Sequence, residues 1–191
     1  MKELMKTIKI YFFLFILVGL LYPFTITFLS QVLFKDKANG SIIYKDGVPV
    51  GSTLVGQPFE SPYLFWSRPS ATGYNTIPSG GFNLGPTSPE LYKLVNERVE
   101  KLVKEGIGDQ IPSYLVFASA SGIDPHLPPW AVYPQVKRVS KNTGLPEQKL
   151  YELIQKHTEK RTFGFLGEER VNILKLNLEV LDLIKGNGFG K

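Results

Sequence analysis

Between Lys9 and Lys35 the chain reads IYFFLFILVGLLYPFTITFLSQVLF, a run of 25 residues without a formal charge. At about 1.5 Å per residue, a helix of that length exceeds the roughly 30 Å hydrocarbon core of a bilayer. The run leads into KDKANG without the small-residue cleavage site that closes a signal peptide. The pattern predicts an uncleaved membrane-crossing helix over residues 10–34, after a short tail of residues 1–9 and before a linker of residues 35–40. Within the helix the polar residues Thr25, Thr27, Ser30 and Gln31 gather beyond Tyr22 and Pro23. Hydroxyls and amides in lipid tend to face other helices, which makes these four the candidate helix-to-helix contacts. The alternative is that Thr and Ser bond back to their own helix while Gln31 sits at the interface. Lys2, Lys6 and Lys9 precede the span and Lys35 and Lys37 follow it. That bias favours a cytoplasmic tail, with everything after Phe34 outside.

Past the linker the pattern becomes that of a folded domain, expected over residues 41–191. SIIYKDGVPVGSTLVG holds two β-favouring runs around Asp46-Gly47, a hairpin signal. Over residues 57–86 neither the helical nor the strand period persists, and proline and glycine recur. So long a loop is uncommon in a compact domain unless it binds something, and its aromatics point to packing within the domain or against a partner. Trp66, Tyr74 and Phe82 are the candidate interface aromatics, and Arg68 adds a charged hydrogen bond. TSPELYKLVNERVEKLVKEG then reads as a helix, with Ser88 or Thr87 as cap, Pro89 in the first turn and Gly106 as stop. Its apolar face is Leu91, Leu94, Val95, Val99, Leu102 and Val103. YLVFAS is strand-like. Two further helices fit residues 131–142, stopped by Gly144, and residues 146–160. VNILKLNLEVLDLI alternates apolar and polar positions over residues 175–180 yet has the length of a helix, and the pattern leaves both open. The expected fold class is α+β: a single N-terminal transmembrane helix followed by one compact mixed α/β extracytoplasmic domain.

The absence of cysteine removes disulfides, thiolate catalysis and Cys-based metal sites. The net charge is +5, but 22 Lys and Arg are interspersed with 17 acids, as on a solvated surface. FWSRPS interleaves aromatics with arginine as base-stacking surfaces do, but a domain expected outside a membrane rarely meets nucleic acid, and none is expected as a partner. SASGIDPHLPPW brings Ser119, Ser121, Asp124 and His126 together. A Ser-His-Asp mechanism draws its residues from distant segments, whereas here all lie in one turn, and ASASG lacks the first glycine of a nucleophile elbow. His126 and His157 stand 31 residues apart and match no metal spacing. Asp124, followed by Pro125, reads as a turn residue whose carboxylate takes nearby backbone N–H groups. GFLGEERV does not complete a dinucleotide fingerprint, and no phosphate-binding loop occurs. No catalytic or metal-binding residue is therefore expected.

Taken in order, YPFTITFLSQVLF followed by ANGS, GSTLVGQPF, RPSAT, SGGFNLGPTSPEL, ASASGIDPH, QVKRV and GFLGEERVNILKLNLEVLD resemble the KdpC family, the C subunit of the Kdp potassium-transporting P-type ATPase. The resemblance spans nearly the whole chain. It implies a single-span, noncatalytic cell-membrane subunit with three partners: a channel-like potassium-translocating subunit, a P-type ATP-hydrolysing subunit and a small membrane peptide. It implies assembly and stabilisation of that complex, with no cofactor of the subunit's own. A second role attached to the family is that of a catalytic chaperone raising the ATP affinity of the ATP-hydrolysing subunit, with ATP shared between the two. For that role Gln135, in QVKRV, is the candidate nucleotide contact; otherwise it is a helix-surface or buried capping glutamine.

Overall fold

In a computed structural model that describes residues 1–108 and 110–186, the chain divides into two compact units, Met1–Ile42 and Ile43–Lys191. The expected domain of residues 41–191 thus includes positions 109 and 187–191, which lie outside the described residues.

The first unit is a continuous helix, α1 (Lys2–Leu33), 32 residues long and apolar enough to cross a membrane, closed by a helical turn at Lys35–Ala38. Its middle, Phe15–Leu21, opens into π-helical turns. These wide turns end two residues before Pro23, which lacks an N–H and whose ring crowds the carbonyl four residues back, at Gly19. Gln31 and Asn39 exchange amide hydrogen bonds of 3.3 and 3.2 Å, and Asn39 also donates to the carbonyl of Lys35 at 2.7 Å. Gln31 thus closes the end of its own helix.

The second unit opens with strands β1 (Ile42–Lys45) and β2 (Val48–Ser52), the hairpin expected around Asp46-Gly47. Both turn residues have positive φ, 52° and 78°, which the Asp-Gly pair tolerates and most pairs do not. Helix α2 (Pro89–Lys104) starts where the capping signals placed it: the Ser88 hydroxyl accepts from the Leu91 N–H at 3.4 Å, and Pro89 opens the first turn. Leu102 is buried and Leu91, Leu94, Val95 and Val99 are half-buried. Val103, placed on the same face by its spacing, is 56% exposed, because an apolar stripe drifts round the helix toward its end.

The strand expected at YLVFAS does not form; Ser113–Val116 is a helical turn. The carbonyls a strand would offer to a neighbour are taken by guanidinium groups instead. Val116 O accepts from Arg98 at 2.6 Å, and Phe117 O and Ala118 O accept from Arg68 at 3.3 Å each.

A three-stranded antiparallel sheet of order β3-β5-β4 joins β3 (His126–Leu127), β4 (Thr158–Glu159) and β5 (Arg170–Asn172). Between β3 and β4 run a helical turn (Pro129–Val132), a 3-10 turn (Tyr133–Gln135), α3 (Val136–Thr143) and α4 (Glu147–Lys156). Gly144 takes φ 72° and stops α3, as expected of a glycine at that position. Helix α4 ends at Lys156 rather than near 160, because Thr158 and Glu159 pair with Val171 and Arg170 of β5. The segment whose period was ambiguous divides at Asn172, which ends β5 and accepts the Lys175 N–H at 3.1 Å to cap α5 (Ile173–Gly186). Phe65, Leu127, Val136, Leu150, Ile154 and Leu176 pack in the core at 0% exposure.

Candidate functional site

Residues 57–86 carry no regular element, and three side chains from distant helices do the work a neighbouring strand would do. Asn177 of α5 accepts the Phe65 N–H and donates to the Phe65 carbonyl, both at 2.8 Å. Gln135 repeats that arrangement on Trp66, accepting from its N–H at 2.8 Å and donating to its carbonyl at 3.3 Å. Arg138 donates to Gln135 Oε1 at 2.8 Å and to the Pro62 carbonyl at 2.6 Å, and its guanidinium lies 4.0 Å from the Trp66 ring centre. Buried backbone polar groups have to be paired; here side-chain amides pair them. Burial lowers the pKa of Arg138 to about 10, with Glu105 pulling the other way, so it is charged at neutral pH.

This fixes where the candidate residues stand. Gln135 is 0% exposed with its amide in use, and Trp66, at 7%, belongs to the core and reaches the surface only at one edge of a cleft. Arg68 lines the loop's other side, 3.5 Å from Asp124 and with its guanidinium 4.7 Å over the Tyr114 ring. Tyr74 (φ 62°) and Phe82 are half-buried. The Tyr74 hydroxyl donates to the Arg68 carbonyl at 2.9 Å, and Arg98 stacks on Phe82 at 5.4 Å. Burial holds the Tyr74 pKa above the ordinary phenol value, with Arg98 opposing. In α1, Thr27, Ser30 and Gln31 fall at i, i+3 and i+4, on one face, with Thr25 off it. The hydroxyls of Thr25, Thr27 and Ser30 have no hydrogen bond among the described residues.

The serine-rich turn is built for shape. Asp124 accepts the His126 N–H at 3.0 Å, and Ser121 accepts the Ile123 N–H at 3.2 Å. His126 Nε2 is 3.4 Å from Asn172 Nδ2, and no hydrogen bond links it to Ser119 or Ser121 among the described residues. Burial pushes the Asp124 carboxyl up, but the hydrogen bonds from His126 and the Arg68 charge outweigh it and hold it below the usual carboxylate range. Gly122 has φ +72°, and a Cβ there would stand 2.7 Å from the Gly80 carbonyl and from Thr72 Oγ1, so the turn locks onto the loop. Among the described residues no group of three or more His, Asp or Glu side chains gathers as a metal site.

Sequence reasoning singled out Gln135 but not Asn177 or Arg138. Asn177 stands among apolar neighbours in VNILKLNLEVLD, a polar intrusion in an apolar stripe, which was the available signal.

One membrane-length helix precedes a domain whose buried polar side chains hold the loop of residues 57–86. Comparisons with known proteins give the family. The family described as KdpC, K+-transporting ATPase, c chain, matches residues 4–182. The potassium-transporting ATPase KdpC subunit of Caldanaerobacter subterraneus subsp. tengcongensis is 44% identical over 187 residues, covering 96% of this chain and 97% of that protein. The KdpC subunit of Geotalea uraniireducens is 47% identical over 184 residues, covering 94% and 97%. That of Koribacter versatilis is 50% identical over 167 residues, 86% of each chain. The chain belongs to the KdpC family and is an accessory subunit of a membrane-associated potassium-transporting ATPase.

Proposed function

We propose that this subunit acts by contact, assembling and stabilising the channel-like and ATP-hydrolysing subunits together with the small membrane peptide, without chemistry or a cofactor of its own. The observation that carries this reading is the loop of residues 57–86, held rigid from within by Gln135, Arg138 and Asn177. Ordering so long a segment costs conformational entropy, which a preformed contact surface meets before binding. Tyr74, Phe82 and Arg68 are the contact residues of the proposal, and Trp66 supports them from below. In the membrane, Thr27, Ser30 and Gln31 form the face that meets a neighbouring helix, with Thr25 as an outlying contact.

The cation bias of Lys2, Lys6 and Lys9 supports an orientation with the N-terminus in the cytoplasm and the domain outside. In that orientation the domain cannot meet cytoplasmic ATP. The inaccessibility of Gln135 weighs against the nucleotide-contact alternative as well.

Two measurements test the reading. The chain has no cysteine, so Lys149→Cys, on an exposed face of α4, reports sidedness alone; labelling by an impermeant maleimide in intact cells is expected, and labelling only after lysis would refute the orientation. Phe82→Ala and Tyr74→Ala are expected to lower recovery of the complex at least several-fold while the domain stays folded. Unchanged recovery in both refutes the loop as the interface.

A further inference from the structure

A cleft of about 190 Å³ opens between the loop and α2. Phe59, Pro69, Leu102 and Leu115 give it apolar walls, while Ser67, Arg98 and Lys101 bring donors to it. We propose that this cleft binds a carboxylate carried on a short apolar stem.

The two cations keep donors to spare. Arg98 and Lys101, three residues apart on α2, share a face. Arg98 uses Nη1 on the Val116 carbonyl at 2.6 Å, leaving Nε and Nη2 without a hydrogen bond among the described residues. Lys101 Nζ lies 4.7 Å from the Trp66 ring centre. Neither cation takes part in an ion pair among the described residues. The independent sign is Ser67: it is 8% exposed, lines the cleft, and its buried Oγ has no hydrogen-bond partner. Buried hydroxyls in native structures are almost always paired; the Ser67 Oγ has no accessible surface as it stands, and a rotation about its Cα–Cβ bond would turn it toward an acceptor in the cleft.

Charge and size select the ligand. Glu60 also lines the cleft, so two cations against one acid leave a single net positive charge. That complements a monoanionic carboxylate and leaves a phosphate dianion in excess. Sites that enclose drug-sized ligands hold about 300–1,000 Å³, which puts a nucleotide beyond this cleft, while its apolar walls suit the methylenes of a glutamate-like stem. The inference is independent of the assembly reading, because it is tested without the complex.

Trp66 lines the cleft and Trp130 is the chain's other tryptophan, so full-length Trp130→Phe in detergent reports from Trp66 alone. Its fluorescence is titrated with N-acetylglutamate α-amide, with the neutral N-acetylglutamine α-amide, with inorganic phosphate, and with a capped pentapeptide bearing one central glutamate. The expected result is saturable binding of the glutamate derivative, none of the glutamine one, and weaker binding of phosphate. Lys101→Gln should weaken binding about tenfold and Ser67→Ala about fivefold, the scale of one charged and one neutral hydrogen bond. Lys101 is exposed and its ammonium rests on a ring face, so Lys101→Gln preserves the fold, and circular dichroism checks both variants. A pentapeptide binding more than about tenfold tighter than the capped amino acid assigns the carboxylate to a protein chain; equal binding assigns it to a free small carboxylate. Equal response to the glutamine derivative, tighter binding of phosphate, or wild-type affinity in both folded variants would overturn the proposal.

Discussion

Gln135→Ala separates a structural glutamine from a nucleotide contact. The wild-type amide accepts from the Trp66 N–H and from Arg138 Nη2 at 2.8 Å each and donates to the Trp66 carbonyl at 3.3 Å. Truncation strands two donors and one acceptor at a site that is 0% exposed. Each buried group left unpaired costs about 1–3 kcal/mol; with partial relaxation around a residue-sized void, a total near 3–5 kcal/mol is expected. That is a large share of the roughly 5–15 kcal/mol by which a domain is stable. In urea, with a slope of about 1–3 kcal/mol/M, the midpoint should fall by about 2 M, read in the Trp130→Phe background from the intrinsic fluorescence of Trp66. Gln135→Glu keeps the acceptor facing Arg138 but cannot donate to the Trp66 carbonyl, and should fall between wild type and Gln135→Ala. A midpoint within about 0.3 M of wild type, together with a raised KM for ATP in the reconstituted ATPase, would refute the structural account and restore the nucleotide one.

Replacing Thr25, Thr27, Ser30 and Gln31 together by leucine or valine should release the subunit from the complex in detergent, whereas single changes, at about 0.6–2 kcal/mol per interhelical bond, should only reduce recovery; full co-purification of the quadruple variant would contradict a membrane interface. Gly122→Ala combines a left-handed φ with a backbone carbonyl 2.7 Å from the new Cβ and should lower stability by at least about 2 kcal/mol, measured by thermal unfolding. The carboxyl of Asp124 is held below its usual range by His126 and Arg68 against the effect of burial, and that of Glu179 by hydrogen bonds from Lys156 and His157. Both are depressed in the folded state, so their contributions are complete above the unfolded carboxylate pKa of about 4–4.5 and are lost as pH falls through the lower folded values. Denaturation midpoints should therefore decline below about pH 4.5, and Asp124→Asn should flatten part of that decline; a flat wild-type profile would contradict the pairing.

What the sequence determined alone was whatever depends on neighbours along the chain. A charge-free run of 25 residues suffices to make a membrane-length helix. Asp46-Gly47 supplies its own turn geometry, and Ser88 and Pro89 start α2 with atoms at hand. Gly144 stops α3 through its own φ. The choice at YLVFAS was different, because strand or turn depended on which groups reached its carbonyls, and arginines from elsewhere reached them first. The split at Asn172 likewise required β3 and β4 on either side of β5. The candidate site was the least legible part: the loop's hydrogen bonds come from partners 69, 76 and 112 residues away. In sequence Trp66 reads either as a packed aromatic or as an interface anchor, and Gln135 as a nucleotide contact, a helix-surface amide or a buried cap; only the tertiary fold decides that both are buried. Backbone groups taken from water must find partners wherever the chain brings them, and no local pattern records which helix will supply them.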